Sequence, residues 1–147
     1  MDFYTLIQIL VSSIAATSAM TLFSYAVSAT ARELYKEPVL LGYILSHLHL
    51  EVSPNVKNIL AWILHYTIGF GFVIAYHFLW IYKVLELTWP IGILLGAISG
   101  IIGIITWFVL FKMVPQKPNI DFKGYYLQLF AAHIIFGFIA YAVYILF

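Results

Sequence analysis

The sequence predicts an all-α membrane protein in which four transmembrane helices form two repeated helical hairpins, with a short interfacial helix in the first loop. Three observations predict this fold: the composition, the length of four apolar segments, and a motif that occurs twice. Hydrophobic residues make up 64% of the 147 residues and charged residues 9%, whereas soluble domains average about 45–50% and about 25%. This composition excludes a disordered chain, a secreted disulfide scaffold and a soluble enzyme.

Four apolar segments are each long enough to cross a membrane. A bilayer core about 30 Å thick requires roughly 20 helical residues, and no segment carries an acidic or basic residue in its interior. Helices and closed barrels are the structures that satisfy backbone hydrogen bonds in lipid, and the sequence lacks the alternation of barrel strands. We therefore expect one transmembrane domain over residues 1–147, with spans at about 4–30, 59–82, 89–112 and 125–147.

The long first connection contains a further apolar segment, at about residues 38–49. Pro38 suits the start of a helix, but the segment is too short to span a bilayer. We expect a helix that lies in the membrane interface, and a re-entrant turn is the alternative. Ser53 and Pro54 suit the N-cap and the first position of the second span.

Lysine and arginine are distributed unevenly over the two sides of the predicted bundle. Lys83 is the basic residue on one side, and six fall on the other: Arg32, Lys36, Lys57, Lys112, Lys117 and Lys123. By the positive-inside rule the side with six is cytoplasmic, so both termini face outward. There is no basic patch with interleaved aromatic residues, so we expect the lipid bilayer, and not nucleic acid, as the surrounding partner.

A short motif in the second span is repeated in the fourth. Each copy reads H-x-x-x-G-F and has a tyrosine eleven positions after the histidine. The copies are His65, Gly69 and Tyr76, and His133, Gly137 and Tyr144. At about 100° per residue these side chains share one helix face. We expect the tyrosines to pack there, and hydrogen bonds inside the bundle or anchoring at the outer interface are the alternatives. The repeat predicts a duplicated hairpin whose halves are related by a pseudo-two-fold axis along the membrane normal.

The first and third spans carry small residues at three- and four-residue spacing. They include Thr17, Thr21 and Ser24 in the first span, and Gly96 and Gly100 in the third. Such stripes allow helices to approach closely in lipid. We expect the hydroxyl stripe to serve packing, with a polar path as the alternative. The glycine stripe packs either within the bundle or against a second copy, and the sequence does not separate these.

The segment from Ala15 to Thr21, the two histidine motifs and the glycine-rich third span that closes at Pro115 resemble one group of proteins. They are similar to small bacterial four-helix membrane proteins of unknown function, the YagU-like and neighbouring uncharacterised families. The resemblance covers most of the chain. It implies four helices in the bacterial inner (cytoplasmic) membrane, and it implies no reaction.

The histidines are the residues most in need of partners, because a histidine inside a span costs free energy without one. We expect His65 and His133 each to bond a hydroxyl of the first span or a backbone carbonyl. One alternative is that both imidazoles ligate haem b, and another is proton or ligand handling. We expect His77 to be interfacial, and His47 and His49 to face solvent or lipid headgroups.

Residue types that carry catalysis are missing from the spans. All six acidic residues lie outside them, which disfavours a cation-coupled transporter, and no cysteine or catalytic motif is present. We therefore expect no catalysis, no cofactor and no metal site. The leading prediction is an accessory or scaffold subunit that self-associates or joins a larger membrane complex. The alternatives are a haem b electron-transfer protein using His65 and His133, and a small channel or transporter lined by the hydroxyls of the first span.

Overall fold

The computed structural model describes residues 2–48 and 52–147, and within these ranges the chain forms five α-helices and no strand. The helices are α1 (Phe3–Ala31), α2 (Glu37–His47), α3 (Pro54–Ile81), α4 (Trp89–Met113) and α5 (Phe122–Tyr144). All but α2 are long and apolar enough to cross a membrane. The predicted all-helical class with four such helices is confirmed. His49, for which the sequence analysis made a prediction, lies outside the described ranges.

Local sequence signals set the helix ends. The Asp2 carboxylate caps α1 by accepting a hydrogen bond from the Thr5 backbone N–H at 2.8 Å. Arg32 ends α1 in the left-handed conformation, with φ of 56°. Ser53 caps α3 and Pro54 occupies its first turn. α3 therefore begins before the predicted span, because the cap and not the apolar boundary decides where the helix starts.

The four long helices pack in the order α3, α1, α5, α4. The most extensive contacts join α4 to α5 and α1 to α5, and α3 packs on α1 and α2. Although a short turn joins α3 to α4, their backbones approach at few points or none within the described ranges. This arrangement leaves an opening between α3 and α4.

The two ends of the bundle differ in what they contain. At one end, here called the terminal end, the termini meet: the Gln8 side-chain amide donates to the Tyr144 carbonyl at 2.8 Å. The turn at residues 82–88 belongs to this end. The other end, here called the loop end, contains residues 32–36 and 114–121. The Tyr35 hydroxyl there donates to Asp121 Oδ2 at 3.4 Å.

α2 fills the opening between α3 and α4 at the loop end. Its buried face packs with side chains of three spanning helices. The cluster comprises Leu40, Leu41 and Ile44 of α2, Ala61 of α3, Trp107 and Phe111 of α4, and Tyr125 and Leu129 of α5. This packing places the first residue of α2, Glu37, inside the protein, where it is 2% exposed.

The glycine stripe of α4 packs on α5. A Cβ atom added at Gly96 would lie 3.1 Å from the Cα of Gly137, and one added at Gly100 would lie 3.2 Å from the Cβ of His133. The added Cβ at Gly96 would also clash with the His133 carbonyl oxygen. The stripe is therefore used inside the bundle, which answers the question that the sequence left open.

Candidate functional site

A cavity of about 100 Å³ lies beside the opening between α3 and α4. All five helices contribute to its walls, which are mainly apolar. The side chains in the wall that can form hydrogen bonds are Thr17, Glu37, His65, Thr106, Trp107 and His133. At its mouth are Ile68 of α3 and Ile102 of α4, which are 48% and 46% exposed. The cavity therefore opens sideways between these two helices.

The hydroxyl stripe of α1 faces the interior and orients the first histidine. Thr17, Thr21 and Ser24 are all buried. The Thr21 hydroxyl donates its single proton to the Thr17 carbonyl at 2.7 Å, so it accepts from His65 Nε2 at 2.9 Å. His65 thus carries its proton on Nε2, and its Nδ1 keeps a lone pair.

The second histidine is oriented by the backbone of its own helix. His133 Nδ1 donates to the Leu129 carbonyl at 2.8 Å, so Nε2 keeps the lone pair. A Cβ atom added at Gly103 would lie 3.1 Å from that Nε2. The absence of a side chain at Gly103 therefore leaves room for the imidazole beside α4.

The two histidines reach the cavity at matching depth. α3 begins at Pro54 and α5 at Phe122, both at the loop end, and each histidine is eleven residues further along its helix. At a rise of about 1.5 Å per residue, both lie roughly 16 Å from the start of the helix. The structure thus brings His65 and His133 to one cavity.

Glu37 is the site residue that the sequence analysis missed. Its Oε1 accepts hydrogen bonds from the Ser24 hydroxyl at 2.7 Å and the Gln128 amide at 3.2 Å. Its Oε2 is buried without a partner. Burial raises the pKa of Glu37 from its ordinary value of 4.5 to about 7, and the two hydrogen bonds oppose that rise.

The position of Glu37 removes the sequence-based argument against a cation-coupled transporter, which was that no carboxylate lies at membrane depth. Glu37 lies outside the spanning segments, as predicted, but α2 inserts its side chain among them. Its partners Ser24 and Gln128 lie about two turns inside α1 and α5. The available signals were the Glu37–Pro38 pair at the start of an apolar segment, and a glutamine within the fourth span.

The glycine of the first motif also shapes the cavity. A Cβ atom added at Gly69 would clash with the Thr17 hydroxyl oxygen and lie 3.4 Å from the ring of Phe136. The Thr17 hydroxyl is buried without a hydrogen-bond partner. Gly69 therefore makes space for a hydroxyl group that has no hydrogen-bond partner among residues 2–48 and 52–147.

The two motif tyrosines lie outside the cavity. The Tyr76 hydroxyl bonds the Leu95 carbonyl at 3.0 Å and the Ser99 hydroxyl at 2.6 Å. The Tyr144 hydroxyl bonds His77 Nδ1 at 2.7 Å. His77 is 6% exposed because it contacts α5. It lies four residues before the end of α3, and its place at the membrane interface stays a prediction.

The geometry also bears on cofactors and metals. The cavity volume of about 100 Å³ is below the roughly 300–1,000 Å³ of pockets for larger organic ligands. His65 Nε2 is already bonded to Thr21. Within residues 2–48 and 52–147, no group of three or more His, Cys, Asp or Glu side chains could hold a metal ion. The site therefore suits a small ligand better than a haem.

No protein-family model matches the chain, and neither a curated protein nor a solved structure matches it. The resemblance to YagU-like families stays a prediction, and the role of the site is argued from its chemistry.

Proposed function

We propose that the protein is a small non-catalytic channel or transporter, and that its solute passes through the cavity beside α2. The observation that carries the proposal is the buried carboxyl of Glu37, whose Oε2 has no partner and which shares the cavity with two histidines. Ionisable side chains within a membrane bundle are costly, and they mark solute and proton pathways.

The order of polar groups along the bundle supports passage from the loop end. Ser24, Glu37 and Gln128 form the first hydrogen-bonded layer. The His65–Thr21 bond and His133 lie deeper. Beyond the histidines, packed aromatic side chains separate the cavity from the terminal end. The ring centroids of Phe72 and Phe136 are 6.2 Å apart, and those of Phe136 and Tyr76 are 6.1 Å apart.

We further propose a location and an orientation for the protein. The six basic residues of the predicted cytoplasmic side belong to the loop end, and Lys83 belongs to the terminal end. The positive-inside rule then places the loop end in the cytoplasm of a bacterium and both termini outside its inner membrane. In this orientation α2 lies at the cytoplasmic interface with its N-terminal end inserted, and the polar layers face the cytoplasm.

The duplicated hairpin is part of the same proposal. The equal offsets of His65 and His133 within α3 and α5 support it. Exact two-fold symmetry would make the α3–α4 contact as close as the α1–α5 contact, and it is much less extensive. We infer that the halves have diverged at this contact, and that the divergence creates the space for the cavity and α2.

The scaffold-subunit and haem b roles stay predictions that the geometry supports less well. The small-residue stripes that suggested self-association are used inside the bundle: Ser24 bonds Glu37, and Gly96 packs on Gly137. A scaffold role would also give no reason for a buried carboxyl oxygen without a hydrogen-bond partner.

Flux into liposomes tests the proposed function. Purified protein is reconstituted into vesicles, proton entry is followed with trapped pyranine, and entry of urea and glycerol is followed by light scattering. We expect at least one flux to exceed that of protein-free vesicles, and Thr21→Val to reduce it several-fold. Thr67→Val is the matched control, because the Thr67 hydroxyl bonds only the Ile63 carbonyl of its own helix at 2.8 Å. Background flux for all three solutes with wild-type protein would overturn the proposal.

A further inference from the structure

Several hydrogen-bond acceptors that face the cavity receive no hydrogen bond from the described residues. Glu37 Oε2 and the Thr17 hydroxyl are both unpartnered, and these residues are 2% and 1% exposed. His133 Nε2 keeps a lone pair because Nδ1 donates to the Leu129 carbonyl. Lone pairs of this kind are satisfied by a ligand that brings several N–H or O–H donors.

The charge of the site favours a cation. Glu37 is the one acidic residue in the cavity wall, and no lysine or arginine lines the described cavity. An anion would therefore meet a carboxylate with no compensating positive charge. A cation would compensate the buried charge of Glu37, which otherwise has only the hydrogen bonds of Ser24 and Gln128.

The walls distinguish an organic cation from a metal ion. Phe72, Trp107 and Phe136 contribute aromatic rings, and most of the remaining wall is aliphatic. Aromatic faces attract ammonium groups, whereas hard metal cations need about six oxygen ligands. The described wall offers the Glu37 carboxyl and the hydroxyls of Thr17 and Thr106, too few oxygens for such a shell.

The volume limits the size of the ligand. An apolar cavity of about 150 Å³ admits benzene. A cavity of about 100 Å³ therefore accommodates an alkyl chain and a head group of about four heavy atoms in total.

From these observations we propose that the cavity binds a small primary ammonium ion. Its ammonium group donates a hydrogen bond to Glu37 Oε2, and its alkyl chain packs against the aromatic walls. The inference rests on the site of the proposed function and names its ligand class. The lateral mouth between Ile68 and Ile102 admits either a free amine or the amine of a lipid headgroup, and both share this chemistry.

Calorimetry with ethylammonium chloride tests the proposal on the full-length protein in phosphatidylcholine nanodiscs at pH 8. We expect saturable one-to-one binding, and at least tenfold weaker binding by Glu37→Gln. Glu86→Gln is the control, because Glu86 is exposed at the terminal end, and it should bind within twofold of wild type. Equal binding of ethanol, or equal displacement of the amine by sodium chloride and by propylammonium chloride, would overturn the proposal.

The pH dependence gives a second measurement on the wild-type protein. Since the pKa of Glu37 is about 7, binding should weaken about tenfold between pH 8 and pH 6, while the amine stays protonated. The titratable groups facing Glu37 are Tyr25 on α1, His65 on α3, and Tyr125 and His133 on α5. Protonation of either histidine would weaken binding in the same direction. The part of the dependence that Glu37→Gln removes is therefore the part due to the carboxyl, and we expect this to be most of it. Binding that is constant over this range would contradict the inference.

Two comparisons separate the sources and the two proposals. Undiminished binding in nanodiscs that contain phosphatidylethanolamine assigns the site to a free amine, and competition by this lipid assigns it to the headgroup amine. Flux without amine binding would overturn the proposed ligand class, and the proposed channel or transporter function would still stand. Amine binding without flux would overturn the proposed transport function, and the proposed amine-binding site would still stand.

Discussion

Replacing Gly137 with alanine tests a close contact between the backbones of α4 and α5. A Cβ atom added at Gly137 would lie 2.5 Å from both the Cα and the backbone nitrogen of Gly96. Non-bonded carbon atoms rest at about 3.5–4.0 Å, so α4 and α5 would have to separate by about 1 Å. The obstructing atoms are backbone and cannot rotate away. Overpacking costs about 1–3 kcal/mol, and we expect the upper end of this range.

The same substitution at Gly71 provides the control. No atom lies within 4 Å of a Cβ atom added there. Alanine is favoured over glycine within a helix by about 0.5–1 kcal/mol, so Gly71→Ala should be slightly stabilising. The two variants should therefore move in opposite directions and differ by about 3–4 kcal/mol.

The free energies of unfolding are measured by titrating the protein with SDS in mixed micelles and following helical circular dichroism. Gly137→Ala should unfold at a lower SDS fraction than wild type, and Gly71→Ala at the same fraction or a higher one. If the free energies of unfolding of the two variants differed by less than about 0.5 kcal/mol, which is the size of a neutral surface change, the close α4–α5 packing described above would be wrong.

Three further predictions can be checked by the same SDS titration. Two concern buried hydrogen bonds, and the third concerns the buried carboxyl of Glu37. Thr21→Val should destabilise the protein by about 1–3 kcal/mol because it leaves His65 Nε2 without a partner, whereas Thr67→Val should change stability by less than about 0.5 kcal/mol; equal effects would contradict the bond. Tyr76→Phe should also cost about 1–3 kcal/mol, since its hydroxyl bonds two groups on α4; no measurable loss would refute this. Because the pKa of Glu37 is about 7 in the folded protein and 4.5 ordinarily, stability should be greatest below pH 4.5, fall by roughly 3 kcal/mol as the pH rises to 7, and then level off; a rise over this window would reverse the assigned sign.

The spanning helices could be predicted from sequence because each depends on a local property. A run of about 20 apolar residues must satisfy its own backbone in lipid, whatever surrounds it. The hydrogen-bond partners of the histidines could also be predicted, because a polar side chain inside a span needs a partner that lies nearby. His65 bonds a hydroxyl of α1, and His133 bonds a carbonyl of its own helix.

The site could not be predicted in full because it depends on contacts between distant segments. Hydropathy describes α2 as a short apolar segment, and it does not indicate which residues that segment approaches. Glu37 is buried because α2 packs between α3, α4 and α5. The burial of His77 depends on a contact with α5 in the same way, and its position near a span end does not indicate that contact.

The cost of Glu37 provides a further argument for function, and a final prediction follows from it. Glutamine has nearly the same shape and can accept the hydrogen bonds of Ser24 and Gln128, but it carries no charge to bury. A purely structural role would therefore be met at lower free-energy cost by Glu37→Gln, which should be more stable than wild type at pH 8 by up to roughly 3 kcal/mol. The same variant should lose flux and amine binding, so stability and function should change in opposite directions. If Glu37→Gln were less stable than wild type at pH 8 and retained both activities, the carboxyl would be a packing group, and the site would have to be sought elsewhere in the bundle.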